Sequence, residues 1–213
     1  MTDEESVHRH YSEMDAGPEW GTPEWVWRPL ADALGGFDLD PASGAEETPI
    51  AETRIQLPPR PRMADSVRDY GDEGRVIYGD GLEREWFGDV WLNPPYGRQH
   101  NPRWAQKVSD ELSNVRTLTA LIPASTSTQW FHEHYADAKL LTFIDERISF
   151  DGSGDNSASF ASVIATWGPV TYEYVQALDE LGDVRSKTRL SPPWTQYHTE
   201  RGAETVQGVV TGE

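Results

Sequence analysis

The strongest constraint on this chain is a strand-like apolar run that stops abruptly at two prolines. The run Asp89-Val90-Trp91-Leu92 leads directly into Asn93-Pro94-Pro95-Tyr96. Proline lacks the backbone N–H that a sheet ladder needs, so a central strand must end at Asn93. Ligands of open α/β sheets bind at the carboxyl ends of the strands. This stretch therefore predicts a stiff loop that forms part of a ligand site.

The side chains of this loop suit one chemical task, the activation of an amine attached to a purine ring. Such an amine is a weak nucleophile, because its lone pair is delocalised into the ring. The Asn93 side-chain oxygen and the Pro94 carbonyl can both accept its hydrogen bonds, in a backbone that Pro95 stiffens further. Tyr96 offers a flat face on which an extruded base can stack. The simpler alternative is a Pro-Pro turn followed by an exposed tyrosine.

Three stretches of the chain, in their order, resemble the phage-type (Dam-like) DNA N6-adenine methyltransferases, which depend on S-adenosylmethionine. The resemblance covers about Trp20 to Trp167. It implies methyl transfer to adenine N6 in double-stranded DNA, with the base flipped out of the duplex. The third stretch alone is shared with protein-glutamine and some RNA methyltransferases, so the order of the three carries the specificity. They are Thr22-Pro23-Glu24-Trp25, Phe37-Asp38-Leu39-Asp40-Pro41-Ala42-Ser43 and Asn93-Pro94-Pro95-Tyr96.

Strand-like and helix-like segments alternate along the chain, which predicts an α/β sheet with helices on both faces. The resemblance implies the Rossmann-like class I methyltransferase form, in which a mostly parallel sheet contains one antiparallel strand. We expect the methyltransferase domain to span residues 19–182. Residues 1–18 are predicted to be a flexible acidic N-terminal arm, and residues 183–213 a C-terminal extension that is partly disordered.

The resemblance implies that S-adenosylmethionine lies against loops near the start of the domain. Asp40 ends a short strand and is expected to face the cofactor's ammonium group, beside the small-residue turn of Pro41 and Ala42. Thr22 has the pattern of a helix N-cap, with Pro23 at the first helical position. The resemblance adds that this helix start borders the methionine part of the cofactor. A plain surface strand and turn is the alternative for the Asp40 stretch.

Two more cofactor contacts are expected from acidic residues. By resemblance, an Asp after the strand Arg75–Tyr78 binds the adenine amino group of the cofactor, and this residue is Asp80. The sequence around it, Gly79-Asp80-Gly81, also has the pattern of a simple turn. Asn93 is expected to border the cofactor as well. The cofactor ribose usually needs a carboxylate, for which three candidates remain open: Glu46, Glu47 and Glu52.

Three arginines are predicted to contact DNA. Arg98 and Arg103 closely follow the proline loop, and Arg147 follows a later strand, where it could instead form a structural pair. The formal net charge of −18 is unusual for a DNA-binding protein, and only three of the 18 Lys and Arg residues are lysines. This acidic, lysine-poor composition indicates a halophilic source. In molar salt the Debye length is about 3 Å, so the repulsion between the protein and DNA phosphate would be largely screened.

Composition and spacing exclude several other kinds of site. The chain has no cysteine, which excludes disulfides and thiolate metal ligands. His132 and His134 lie two residues apart and therefore on different faces of a helix, so no metal site is predicted. The chain has no apolar run of about 18 residues, as a membrane span requires. Its acidic start lacks the pattern of a secretion signal, so a cytoplasmic location is expected.

Two alternative functions remain open. One is a methyltransferase that acts on RNA adenine or on a protein glutamine amide, since no separate DNA-recognition domain is evident. The other is a non-catalytic acidic protein that mimics DNA or binds a restriction complex. The net charge favours this second alternative, whereas the intact Asn93–Tyr96 stretch argues against it.

Overall fold

A computed structural model of the chain describes residues 21–44, 49–59, 63–150 and 160–187. No helix in these ranges is both long and apolar enough to pass through a membrane. The helices are α1 (Glu24–Leu34), α2 (His100–Glu111), α3 (Gln129–His134) and α4 (Tyr172–Leu181), with a 3-10 turn at Gly71–Glu73. The strands are β1 (Phe37–Asp40), β2 (Ala51–Gln56), β3 (Val67–Asp69), β4 (Arg75–Tyr78), β5 (Gly88–Leu92), β6 (Val115–Pro123), β7 (Leu140–Ile144), β8 (Ser162–Trp167) and β9 (Gly182–Ser186).

The strands form one sheet in the order β3-β4-β2-β1-β5-β6-β8-β7-β9. Strands β4, β2, β1, β5 and β6 are parallel to one another. The antiparallel strand that the sequence predicts is β8, which lies between β6 and β7. Two strands at the sheet edges, β3 and β9, are also antiparallel to their neighbours, so the described sheet has three such strands where one was predicted. The predicted α/β class with a mostly parallel sheet is confirmed.

Helices cover both faces of the sheet, as predicted, and each face has its own apolar core. Neighbouring residues of β5 show the division: Trp91 packs into one core, Val90 and Leu92 pack into the other, and all three are fully buried. Helices α1 and α4 close the first core, and α2 and α3 close the second. Each fully buried large apolar side chain contributes about 1.5–3 kcal/mol. The run before Asn93 is therefore anchored at the centre of the sheet.

Helix α1 begins at Glu24, and Pro23 occupies the N-cap position. The predicted N-cap role of Thr22 is wrong, because no side chain caps this helix and the Thr22 hydroxyl instead bonds a distant residue. At the C-terminal end, the pair Gly35-Gly36 is the sequence pattern that predicts a helix stop, and the helix does end at Leu34. Gly35 adopts a left-handed conformation with φ 82°, and its N–H bonds the carbonyls of the last turn.

Three strands, β2, β3 and β9, lie where the sequence indicates no regular structure. Strand β2 lies in the interior of the sheet, between β1 and β4, within a segment whose pattern is unreadable. Strand β9 pairs with β7, so the sheet continues to Ser186, beyond the predicted domain boundary at residue 182. The predicted N-terminal arm, residues 1–18, and residues 188–213 of the predicted extension lie outside the described residues.

A buried carboxylate joins the end of α2 to the segment before β5. Glu111 is 5% exposed and accepts hydrogen bonds from the Trp86 backbone N–H at 3.0 Å, from Asn114 at 2.9 Å and from Lys107. Burial by itself raises the pKa of Glu111, but the three donors outweigh it, so the pKa lies below its usual value of 4.5. Such a carboxylate stabilises the fold above its unfolded-state pKa. That contribution is lost as the pH falls through the folded-state pKa.

We expect Glu111→Gln to lower the free energy of unfolding by about 2 kcal/mol at neutral pH, where the charge-assisted hydrogen bonds are intact. The difference should shrink as the pH falls from the usual glutamate pKa toward the lowered pKa of folded Glu111, where the wild-type carboxylate also loses its charge. Urea unfolding of both proteins at neutral pH and at about pH 3.5 measures this difference. Glu133→Gln is the control, because Glu133 is 54% exposed and should matter little at either pH. An equal cost at both pH values would contradict this role for Glu111.

Candidate active site

The candidate site lies where the strand order of the sheet reverses. From β1 the chain continues to β2 and β4 on one side, whereas β5 and β6 lie on the other. Because β1 and β5 are parallel neighbours, their carboxyl ends open onto the same crevice. Ligands of open α/β sheets bind in such a crevice. Asp40 ends β1 and Asn93 follows β5, so two of the predicted site residues meet at this point.

The Asn93 side-chain amide is held from two sides. Its Nδ2 donates to Thr22 Oγ1 at 2.9 Å, and its Oδ1 accepts from the Tyr96 hydroxyl at 2.6 Å. Thr22 is 4% exposed, and Asn93 is half-buried. Pro94 is buried and Pro95 is exposed, so the rigid pair leads the chain from the core to the surface. The loop is therefore ordered by its own side chains and by the segment that precedes α1.

Tyr96 lies half-buried beside Asn93. Its hydroxyl is also 3.2 Å from the Leu121 carbonyl oxygen, so its single proton is shared between two acceptors. Its ring contacts Phe150 and Phe160 edge to face, at centroid distances of 6.0 and 5.2 Å. Burial raises the pKa of Tyr96 well above the usual phenol value, so the hydroxyl remains a donor at neutral pH. Tyr96 is thus part of the packing around the site, and its stacking against a base stays a prediction.

Asp40 ends β1 and Asp80 lies two residues after β4, and both side chains are buried, at only 2% and 3% exposed. Each accepts a hydrogen bond from a backbone N–H two residues further on. The donors are Ala42 at 3.0 Å and Leu82 at 2.9 Å. An Asp that bonds its own backbone in this way fixes a turn. The two acidic loops therefore have defined shapes on the same edge of the sheet.

These two loops contact each other across the end of β2. A Cβ atom on Gly81 would overlap the Pro41 carbonyl oxygen, so glycine is required for this close approach. Gln56, the last residue of β2, donates through Nε2 to the Gly44 carbonyl at 2.7 Å. Its own carbonyl accepts from the Gly79 N–H at 2.8 Å. Gln56 thus ties the two loops together, and sequence reasoning missed it because the strand that it ends is hard to recognise.

Of the three carboxylates considered for the cofactor ribose, the structure describes one, Glu52. Glu52 is the second residue of β2, it is exposed, and its backbone lies beside Gly74 at the amino end of β4. It therefore lies toward the opposite edge of the sheet from the candidate site, which argues against this one of the three open candidates. Glu46 and Glu47 lie outside the described residues.

The three arginines predicted to contact DNA are exposed on the edge of the sheet that carries the site. Arg98 follows the proline loop, Arg103 lies in the first turn of α2, and Arg147 follows β7. Strand β7 points the same way as β6, because both are antiparallel to β8. Trp104 differs from the arginines: it is 3% exposed and stacks on Trp86 at a centroid distance of 6.3 Å, so it is a packing residue.

An open α/β sheet with buried acids and an ordered asparagine loop at its point of reversal is a Rossmann-like fold, a class in which ligands bind at that point. Residues 77–175 match the family described as DNA N-6-adenine-methyltransferase (Dam). The chain is also 28% identical over 142 residues to the DNA N-6-adenine-methyltransferase of Escherichia phage T1. The resemblance to the phage-type DNA N6-adenine methyltransferases, which the three sequence motifs indicate, is therefore confirmed.

The family match covers only part of the candidate site. It includes Asp80 and Asn93–Tyr96, whereas Thr22 and Asp40 precede it. The aligned segment amounts to 65% of this chain and 50% of the phage T1 protein, so the chain spans about half the length of that relative. A crystal structure of the protein PH1948 from Pyrococcus horikoshii gives a TM-score of 0.46 at 15% identity, covering 80% of this chain and 100% of that chain.

Proposed function

We propose that this protein transfers the methyl group of S-adenosylmethionine to the N6 amine of adenine in DNA. The observation that carries the proposal is the ordered Asn93 amide at the carboxyl end of β5, within the region that matches the Dam family. Its oxygen and the Pro94 carbonyl accept hydrogen bonds from the adenine amine. Two acceptors favour a pyramidal nitrogen, whose lone pair is then available to attack the methyl group.

The residues around the crevice fit S-adenosylmethionine, which supplies a methyl group activated by a positive sulfonium. The ammonium group and the adenine amine of this cofactor are hydrogen-bond donors, and the two buried carboxylates are acceptors. We assign the ammonium group to Asp40 and the adenine amine to Asp80. The residues expected to border the methionine part of the cofactor are Thr22, Pro23, Pro41, Ala42 and Asn93.

The target adenine must leave the duplex to reach Asn93, because its N6 amine is paired inside the helix. The Tyr96 ring, half-buried beside the amide, is the surface on which we expect the extruded base to stack. Direct transfer needs no covalent intermediate with the enzyme, and the chain has no cysteine to form one. The contribution of the protein is to hold the amine in line with the methyl group, which can supply much of the rate enhancement.

Double-stranded DNA is expected to approach the edge that carries Arg98, Arg103 and Arg147. An overall charge of −18 repels phosphate at long range, so binding must depend on these local cations and on contacts to the flipped base. Phosphate contacts fix the position of a protein on the duplex and make its affinity depend on salt.

We expect Arg98→Ala and Arg103→Ala each to weaken DNA binding and to lower the slope of log affinity against log salt concentration by about 1. Fluorescence anisotropy with a labelled duplex, from about 0.05 to about 0.3 M KCl, measures both quantities. Arg185→Ala is the matched control. Arg185 is an exposed arginine of β9 that pairs with Asp183 and lies away from the proposed DNA-binding edge. An unchanged slope in both site variants would contradict the proposed DNA surface.

The proposed function is tested by transfer of labelled methyl from S-adenosylmethionine to unmethylated duplex DNA, with RNA and protein acceptors in parallel. Reactions are run at low salt and in molar KCl, and DNA is digested to nucleosides. We expect the label in N6-methyldeoxyadenosine. Label found only in RNA or only in protein would make that molecule the methyl acceptor in place of DNA, and methyl transfer from S-adenosylmethionine would still stand. If neither methyl transfer nor cofactor binding by calorimetry is detected, the proposed enzymatic function is refuted and the non-catalytic acidic protein is the favoured alternative.

A further inference from the structure

The Thr22 side chain makes a contact that its local sequence does not explain. Thr22 lies just before α1, yet its hydroxyl does not cap that helix. It is 4% exposed, and its Oγ1 accepts a hydrogen bond from Asn93 Nδ2 at 2.9 Å, across 71 residues of chain. The hydroxyl is therefore directed at the loop after β5.

The opposite end of the Asn93 amide is held by a second hydroxyl. Tyr96 donates to Oδ1 at 2.6 Å, a distance typical of O–H···O bonds, whereas the 2.9 Å between Nδ2 and Thr22 is typical of N–H···O bonds. We propose that Thr22 is a positioning residue for methyl transfer, which together with the Tyr96 hydroxyl fixes the Asn93 amide with its oxygen available to the amine. This inference rests on the proposed function of Asn93.

The physical need for such a clamp follows from the shape of an amide. The two ends of an asparagine side chain are nearly identical in size, and here the 2.6 Å bond from Tyr96 places the oxygen and the 2.9 Å bond to Thr22 places the nitrogen. If the amide of Asn93 turned over, its NH₂ group would face the N–H bonds of the substrate amine, and of the two proposed acceptors only the Pro94 carbonyl would remain. An orientation fixed before the substrate arrives avoids the cost of reorganising the site during the reaction.

This role differs from contact with the cofactor, which is the role the resemblance implies for Thr22. A cofactor contact would affect the affinity for S-adenosylmethionine. A positioning role affects the turnover step and leaves that affinity alone. The two roles can therefore be separated by measuring the cofactor dissociation constant and kcat on the same variants.

The test compares Thr22→Val with Thr22→Ser. Valine keeps the shape of threonine and removes the acceptor, whereas serine keeps the hydroxyl. We expect Thr22→Val to lower kcat about tenfold, equivalent to about 1.4 kcal/mol, with the cofactor dissociation constant within about twofold of wild type by calorimetry. Thr22→Ser should retain most of the activity. Melting temperatures of both variants show whether the fold is kept.

Two further variants complete the experiment. Tyr96→Phe keeps the ring packed against Phe150 and Phe160 but removes the second hydroxyl, and it should also lower kcat without weakening cofactor binding. In an Asn93→Ala background, Thr22→Val should have no further effect, because the group that it positions is absent. Weaker cofactor binding with normal kcat in Thr22→Val would overturn the positioning role. So would an additive loss in the Asn93→Ala background, whereas full activity of Asn93→Ala alone would instead refute the proposed function.

Discussion

Replacing Asn93 with alanine is expected to lower methyl transfer at least about a hundredfold, the loss typical when one preorganised polar contact to the reacting group is removed. The variant loses the acceptor that we assign to the adenine amine, while the buried acids at Asp40 and Asp80 remain. Cofactor affinity should therefore change little. Single-turnover transfer of labelled methyl to duplex DNA measures the rate, and calorimetry measures cofactor binding.

The matched control for this variant is Asn93→Asp, which keeps an acceptor oxygen on a side chain of the same size. We expect it to retain more activity than the alanine variant, although it cannot donate to Thr22 as the amide does. A wild-type rate in Asn93→Ala would refute the assignment of the loop. A loss of cofactor binding equal to the loss of rate would instead make Asn93 a binding residue only.

The second large effect is expected from Gly81→Ala. The added methyl group would overlap the Pro41 carbonyl oxygen and lie 2.9 Å from its carbonyl carbon, so the two acidic loops must separate. Because these loops carry Asp40 and Asp80, we expect cofactor affinity to fall at least about tenfold. A lower melting temperature should accompany this loss, since backbone atoms rather than a flexible side chain must move. Calorimetry and thermal unfolding measure the two effects.

Gly79→Ala is the control, because it lies in the same loop and adds the same methyl group. Its nearest neighbour would be Arg84 Nε at 2.9 Å, the end of a flexible side chain that can move aside. We expect cofactor affinity within about twofold of wild type. Equal losses in both variants would mean that the loop tolerates no substitution. Normal binding in Gly81→Ala would mean that the contact with Pro41 does not shape the cofactor site.

The parts of the fold that the sequence predicts well are those with short-range signals. The two consecutive prolines predict the end of β5 to within one residue, since the strand ends at Leu92, and Gly35 marks the end of α1. Strand β2 gave no such signal, because two of its buried residues are polar. Arg54 is 7% exposed and bonds the Glu73 carbonyl, and Thr53 accepts from Arg75. These partners lie about twenty residues further along the chain, so local patterns do not reveal them.

The candidate site shows the same limit. The motif identified Asn93 and Tyr96, but not the bond between Thr22 and Asn93, since a Thr-Pro pair is also a good helix start. The choice among ribose carboxylates depended on knowing where β2 begins and ends. Once that strand is defined, Glu52 lies near its amino end, away from the candidate site, and Gln56 lies at its carboxyl end, beside the site. Spatial order within the sheet is the information that the sequence pattern lacks.

The strand order also determines how this protein can be divided. Residues 77–175 contain β5, β6, β7 and β8, which are adjacent in the sheet. Strand β4 is separated from β5 by β2 and β1, which come from residues 37–56. Cut out at its borders, the matched segment would expose the edge of β5 and lose the cover of α1 over one core. Within this fold the matched segment therefore depends on the earlier elements β1 and α1 for its neighbouring strand and for the cover of one core.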